Sequence, residues 1–274
     1  MQIQTSREPF IVSVMSTKGG VTKSTNVANI GAFCADHGLK VLMIDTDTQP
    51  TLSSYYHLVQ QAPYGLYEFV MRNDVAFQQL ISHTEYENLH IIQSNDPLDR
   101  LTSDLSKNSA GALFFRTRIQ QLCQSTDYDL IIIDTRGTRG VTVDMAVLAS
   151  DLVLSPIKPE LVSAREFLRG TISLYEDLSL FTQFGLSLPP LKAVINCLDK
   201  TKDAKEVVDL LYKIFSDLNK DNIDLLNIEI PNRVAYREAA SQSKPVHRHS
   251  AEQAEIIFKL CSAIFPQWSE RFAK

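Results

Sequence analysis

No stretch of this chain approaches the roughly 20 consecutive apolar residues that a membrane-spanning helix needs. The opening segment, Met1 to Pro9, carries Arg7 and Glu8 but no apolar export-signal run, so a cytoplasmic protein is expected. Cysteine is scarce. Cys34, Cys123, Cys197 and Cys261 are widely spaced with no CxxC pair, and each lies in an apolar stretch that reads as core, which fits a reducing compartment. An excess of positive charge is also lacking: net charge is −5 and the pI is near 5.7, so contact with nucleic acid has to come from a local patch. Internal repeats, low-complexity tracts and long linkers are absent. The 274 residues, 44% of them hydrophobic, are therefore expected to build a single domain over 1–274 with an ample core.

Short apolar runs recur at Phe10 to Val14, Val41 to Ile44, Leu89 to Ile92, Leu130 to Ile133, Leu152 to Leu154 and Ala193 to Ile195. Runs without polar alternation suit strands covered on both faces. Helical patterns separate them at about Lys23 to His37, Gly111 to Gln124, Val141 to Ala149, Glu160 to Phe184, Ala204 to Asn219, Arg233 to Ser241 and Ala251 to Phe265. The expected class is α/β, a mostly parallel, doubly wound sheet flanked by helices. Pro63 to Glu87 is mixed in character and is expected to be helical.

The first apolar run leads into Ser16, Thr17, Lys18, Gly19, Gly20, Val21, Thr22, Lys23, Ser24 and Thr25, and then a helix. A strand, a glycine turn and a helix N-terminus form the context in which backbone N–H groups curl around phosphate oxygens. Lys23 is placed to neutralise the β and γ phosphates of ATP, and Ser24 to offer its hydroxyl to Mg2+, which prefers oxygen ligands. The strict GxxxxGK[ST] pattern fails, because Thr17 and Thr22 stand where it has glycine. If position 22 requires positive φ, threonine there costs about 1–2 kcal/mol relative to glycine. Further on, the second run ends in Asp45, Thr46, Asp47, Thr48 and Gln49, two carboxylates at a strand end. Tyr128 to Asp134 is an apolar strand closing on one carboxylate, a form suited to holding magnesium, with plain strand-end acids the simpler reading of both segments. The loop Thr135 to Gly140 contains Arg136 and Arg139; a phosphate or partner sensor and an ordinary surface turn are both open readings.

The variant KGGxxK[ST] at Lys18 to Ser24 resembles the deviant Walker A motif of the ParA/MinD family of ATPases. Asp45 to Gln49 resembles the family's DxDPQ segment, with Thr48 in place of proline. The motifs are colinear with the family's from residue 10 to about residue 250. The resemblance implies that Asp47 serves hydrolysis and that Asp45 sits beside the metal. It also implies that Asn196 reads the adenine edge, although a capping asparagine is the simpler alternative, and that backbone near Pro231 lines the base pocket. Lys18 is the extra lysine with which relatives reach the nucleotide of a second subunit, so an ATP-closed homodimer is expected.

The stretch Ile230 to Ala239 followed by Lys244, Pro245 and Val246 resembles the C-terminal signature of the ParA partition branch, whose members segregate plasmids, chromosomes or integrative elements with a centromere-binding, ParB-like adaptor. Arg233, Arg237 and Lys244, with His247, Arg248 and His249, form a basic island on an acidic chain. In relatives this region binds DNA without sequence preference and localises the protein to the nucleoid; a solvated basic face paired to Glu229 or Glu238 is the alternative. With nine residues before the first strand, the helix-turn-helix arm carried by some plasmid relatives is not expected. Two other branches fit less well. The cysteines do not supply an iron–sulfur site, and the last helix, with Glu252, Glu255 and a terminating Pro266, reads as core rather than as a MinD-like membrane helix. The expected activity is weak, partner-stimulated ATP hydrolysis, with a nucleotide-gated DNA-binding switch of little turnover as the rival.

Overall fold

The computed structural model describes residues 8–108, 110–218 and 220–273. Nine strands form one sheet: β1 (Phe10–Val14), β2 (Val41–Asp45), β3 (Leu58–Gln60), β4 (Ser82–Thr84), β5 (Leu89–Ile92), β6 (Leu130–Asp134), β7 (Leu152–Ile157), β8 (Leu191–Leu198) and β9 (Ile223–Pro231). Their order is β3-β4-β5-β2-β6-β1-β7-β8-β9. Only the β3–β4 and β4–β5 pairs are antiparallel; from β5 to β9 in that order every neighbour is parallel. The helices are α1 (Lys23–Asp36), α2 (Leu66–Met71), α3 (Arg100–Ser106), α4 (Gly111–Ser125), α5 (Val141–Leu148), α6 (Leu161–Glu166), α7 (Ser173–Leu178), α8 (Lys202–Leu218), α9 (Val234–Ser241), α10 (Val246–His249), α11 (Ala251–Ile264) and α12 (Ser269–Phe272). The sheet is mostly parallel and flanked by helices, as the unbroken apolar runs implied.

Alternate side chains of the central strands feed opposite layers. Val12, Val14, Met43 and Ile132 pack with α1 and α11, while Leu42, Ile44, Ile131 and Ile133 meet Phe69, Phe115 and Leu122 from α2 and α4. On the β7–β8 half, Val153, Ile157, Ala193 and Ile195 meet Val147, Leu174 and Leu211 from α5, α7 and α8. The last long helix joins this core. Ile257, Leu260 and Ile264 of α11 are each no more than 2% exposed. Side chains of this size contribute about 1.5–3 kcal/mol each when buried, so α11 is packed into the protein rather than displayed as a free amphipathic face.

The structure departs from the sequence expectations in several places. Pro63 to Glu87 is helical only over Leu66–Met71 and a short 3-10 turn, and it contributes β4. Strand β9 was not expected, because as a sheet edge it is only half buried and Asp224, Asn227 and Glu229 break its apolar run. The helix expected over Glu160 to Phe184 is divided by a π-helical turn at Phe167–Ile172 and ends in 3-10 geometry at Ser179–Phe184. Asn219, the expected end of α8, and residues 1–7, where no export signal was read, lie outside the described residues.

Candidate nucleotide-binding site

The glycine turn, the two acidic strand ends and the loop after β6 converge at the C-terminal edge of the parallel strands, where ligand crevices of such sheets lie. The glycine turn, Asp47 and the loop after β6 line a cavity of about 500 Å³ that includes Gly19, Lys23, Ser24, Arg136 and Gly137. Gly137 is there for close approach: a Cβ on it would lie 2.6 Å from the Gly19 Cα, so any larger residue would push the two loops apart. Lys23 is 7% exposed. Its burial lowers the ammonium pKa, and the Asp134 and Asp47 charges push it back up.

Thr22 caps α1 with φ 60° and ψ 36°, the left-handed conformation that the standard motif gives to glycine. Its hydroxyl donates to the Val21 carbonyl at 2.7 Å and accepts from Asn196 Nδ2, which also donates to Val21 O at 2.9 Å. Thr17, the other departure, lies against the π-helical turn, with its hydroxyl 3.4 Å from both Glu166 O and Thr171 Oγ1. Gly170 makes the space: a Cβ there would fall far inside contact with Thr17 Oγ1.

Asp45 and Asp134 are register partners on β2 and β6, and both are fully buried. Their surroundings differ. Asp45 accepts from Ser53 N at 2.8 Å, Ser53 Oγ at 2.7 Å and Asp47 N at 3.1 Å, and burial still raises its pKa to about 6. Its oxygens thus brace the turn at residues 52–54, on the strand end beside Asp134. Among the described residues, no donor meets hydrogen-bond geometry with either oxygen of Asp134. Burial, followed by the Asp45 charge, raises its pKa to about 8 against the pull of Ser24 and Lys23. A buried carboxylate with so little hydrogen bonding is costly unless a cation or proton satisfies it. Mg2+ fits: beside the Ser24 hydroxyl, Asp134 offers oxygen, the donor this ion prefers, and magnesium sites commonly take few protein ligands, with phosphate and water completing the shell. Asp47 is half-buried on the cavity wall, with Oδ1 accepting from Gln49 N at 3.0 Å.

Lys18 does not point to open solvent. Its Nζ donates to Ser163 Oγ at 2.7 Å and to Glu160 Oε2 at 3.0 Å, at the start of α6. Arg136 reaches Asp99 Oδ2 at 2.9 Å, and Arg139 pairs with Asp177, so both arginines of the 135–140 loop are held. A second cavity of about 300 Å³ shares Thr22 and Thr25 with the first and is walled by Asn196, Ile230, Pro231 and Tyr236. The structure therefore brings Asn196 and Pro231 together, but the amide nitrogen of Asn196 is spent on the loop. Residues missed by sequence reading, Ser53, Glu160, Ser163 and Gly170, act on partners up to about 150 positions away, and no local spacing announces them.

The basic island divides. His247 and Arg248 are both tied to Asp36; burial works to raise that carboxyl, and their hydrogen bonds hold it down at about 2. Arg233 occupies the N-cap position of α9 and lies 3.4 Å from Glu252, rather than pairing with Glu229 or Glu238 as the alternative reading had it. Arg237 and Lys244 are exposed, and among the described residues neither forms an ion pair.

Comparison with known proteins is consistent with this geometry. A family model described as an AAA domain matches residues 10–183. The chain is similar to the putative replication protein A of Rhizobium rhizogenes, 28% identical over 183 residues, covering 61% of this chain and only 45% of that protein. It is also similar to the sporulation initiation inhibitor protein Soj of Bacillus subtilis (strain 168), 27% identical over 262 residues, covering 93% of this chain and 97% of that one. Its fold matches the ATP complex of a substituted McdA from Cyanothece with a TM-score of 0.77 at 20% identity, over 93% of this chain and 96% of the other.

Proposed function

The chain belongs to the ParA/MinD family of deviant Walker A ATPases, in its Soj-like partition branch, and on that premise we propose that it is a DNA partition ATPase folded as one P-loop domain. The observation that carries this reading is Asp134, a fully buried and poorly hydrogen-bonded carboxylate whose neighbours are Ser24 and Lys23 of the glycine-containing loop. The backbone from Lys18 to Thr25 holds the phosphates of ATP. Lys23 neutralises charge on them, and Ser24 and Asp134 hold Mg2+, which supplies further neutralisation when bound. Asp47 positions the attacking water, and Asp45 fixes the strand end from which Asp47 projects.

ATP closes a homodimer in which Lys18 leaves Glu160 and Ser163 for the partner's nucleotide. The dimer holds nucleoid DNA in the cytoplasm through Arg233, Arg237 and Lys244, and a ParB-like, centromere-binding adaptor stimulates hydrolysis and release. The cargo is a plasmid, a chromosome or an integrative element. Turnover assays with DNA and adaptor test the enzyme: a rate unchanged by Asp47→Ala would sink the assignment. For DNA, Lys244→Ala, at an exposed residue outside both cavities, is expected to weaken ATP-dependent retention while leaving ATP affinity intact; equal loss of both counts against a dedicated DNA surface.

The left-handed Thr22 favours a second reading, a nucleotide-gated DNA switch with little hydrolysis, because its Cβ stands where the standard loop has none. Adaptor-stimulated turnover separates the two. A MinD-like membrane role has less support, since the apolar face of α11 is already spent in the core.

A further inference from the structure

The cavity beside the phosphate loop contains two polar groups with nothing to bond. Asn26, on the first turn of α1, is 2% exposed, and among the described residues its Nδ2 has no hydrogen-bond partner. The hydroxyl of Tyr236, on α9, is equally unpaired. Both side chains line the 300 Å³ cavity whose remaining wall includes the apolar Ile230, Pro231 and Ala240. A buried amide without a partner costs about 1–3 kcal/mol, so a protein keeps one only where something else satisfies it. Asn196, the residue that the motif nominates for the adenine edge, has its amide nitrogen committed to Val21 and Thr22.

We infer that in this chain Asn26 and Tyr236 make the polar contacts to the purine base of the bound nucleotide. The inference rests on the nucleotide-site reading above. The chemistry of the pair fits a purine edge. The Asn26 amide donates to a ring nitrogen, the Tyr236 hydroxyl can donate or accept, and the apolar wall receives the ring face. The cavity joins the phosphate cavity through Thr22 and Thr25, so one nucleotide spans both, phosphates at the loop and base between α1 and α9.

The test uses the whole chain with Asn26→Leu and Tyr236→Phe, two substitutions of similar shape. Binding with Mg2+ is measured for ATP, 2′-deoxy-ATP and inorganic tripolyphosphate, together with ligand-free thermal stability. Each variant is expected to bind ATP and 2′-deoxy-ATP about 3- to 10-fold more weakly, one neutral hydrogen bond's worth, with tripolyphosphate affinity unchanged. Ligand-free melting temperature should hold or rise, because a buried orphan has been removed; a merely structural role would lower it. Unchanged ATP affinity in both variants overturns the inference, and loss for ATP alone but not 2′-deoxy-ATP overturns the assignment to the base. Failure of the unmodified chain to bind either ATP or tripolyphosphate defeats the nucleotide reading itself.

Discussion

Replacing Thr22 with glycine isolates the strain in the phosphate loop and shows what offsets it. A non-glycine residue in the left-handed region costs about 1–2 kcal/mol, and Thr22 sits there at φ 60°. Thr22→Gly removes that strain. It also removes a hydroxyl that donates to Val21 O and accepts from Asn196 Nδ2, interactions worth roughly 0.5–1.5 kcal/mol each. Glycine adds unfolded-state freedom costing roughly 0.5–1 kcal/mol. The losses outweigh the gain, so the single substitution is expected to lower unfolding free energy by roughly 1 kcal/mol. The informative quantity is its coupling to Asn196. Asn196→Ala strips the donor from both Val21 O and Thr22 Oγ1 and should cost about 1–3 kcal/mol. In the Thr22→Gly background one of those acceptors is already gone, so the cost should fall by about 0.5–1.5 kcal/mol, above the roughly 0.3–0.5 kcal/mol error of additivity. Urea unfolding of the four proteins measures the cycle. Zero coupling, or a Thr22→Gly protein stabilised by more than about 2 kcal/mol, refutes the view that Asn196 braces a strained loop.

Three further outcomes follow from the same geometry. Gly170→Ala drives a methyl into Thr17 Oγ1 and should destabilise by about 1–3 kcal/mol; adding Thr17→Gly should recover most of the loss in the same unfolding assay, whereas no recovery would locate the clash elsewhere. Asp134, raised to about 8, and Asp45, raised to about 6, keep protons that the unfolded chain has already released, so metal-free stability should fall as pH rises from about 4 to about 8. Thermal melts across that range should show the fall, Asp134→Asn should flatten its upper half, and a flat profile in the unmodified protein contradicts the assignment. On DNA, Arg237→Ala and Lys244→Ala should each reduce the slope of log affinity against log salt by about 0.9, whereas Arg248→Ala, which breaks the contact with Asp36, should lower thermal stability and leave the slope unchanged.

What could be read from the sequence was local. The loop from Lys18 to Thr25 is contiguous, Asp134 ends an unbroken apolar run, and the parallel core strands are buried on both faces, so a short window contains the whole signal. The rest depends on distance. Glu160 and Ser163 meet Lys18 across more than 140 positions, and Asn196 meets Val21 across 175. Strand β9 was missed because it is an edge strand whose apolar run is broken by the exposed Asp224, Asn227 and Glu229, and the π-helical turn because nothing in Phe167 to Ile172 distinguishes it from an ordinary helix until Thr17 is beside it.

The two threonines that break the standard glycine pattern are not independent losses. Each meets a distant residue that accommodates it: Thr17 fits because position 170 has no Cβ, and Thr22 is held in left-handed geometry by Asn196. Both partners lie on the β7–β8 half of the sheet, as do Glu160 and Ser163, which hold Lys18. The standard loop takes its shape from glycine at both positions; here tertiary contacts replace that local permission. A loop shaped in this way is coupled to its surroundings. Moving Lys18 off Glu160 perturbs the start of α6, and the turn that follows α6 carries Gly170 and Thr171 against Thr17. The phosphate loop is therefore in direct contact, through Lys18 and Thr17, with the segment from Glu160 to Thr171.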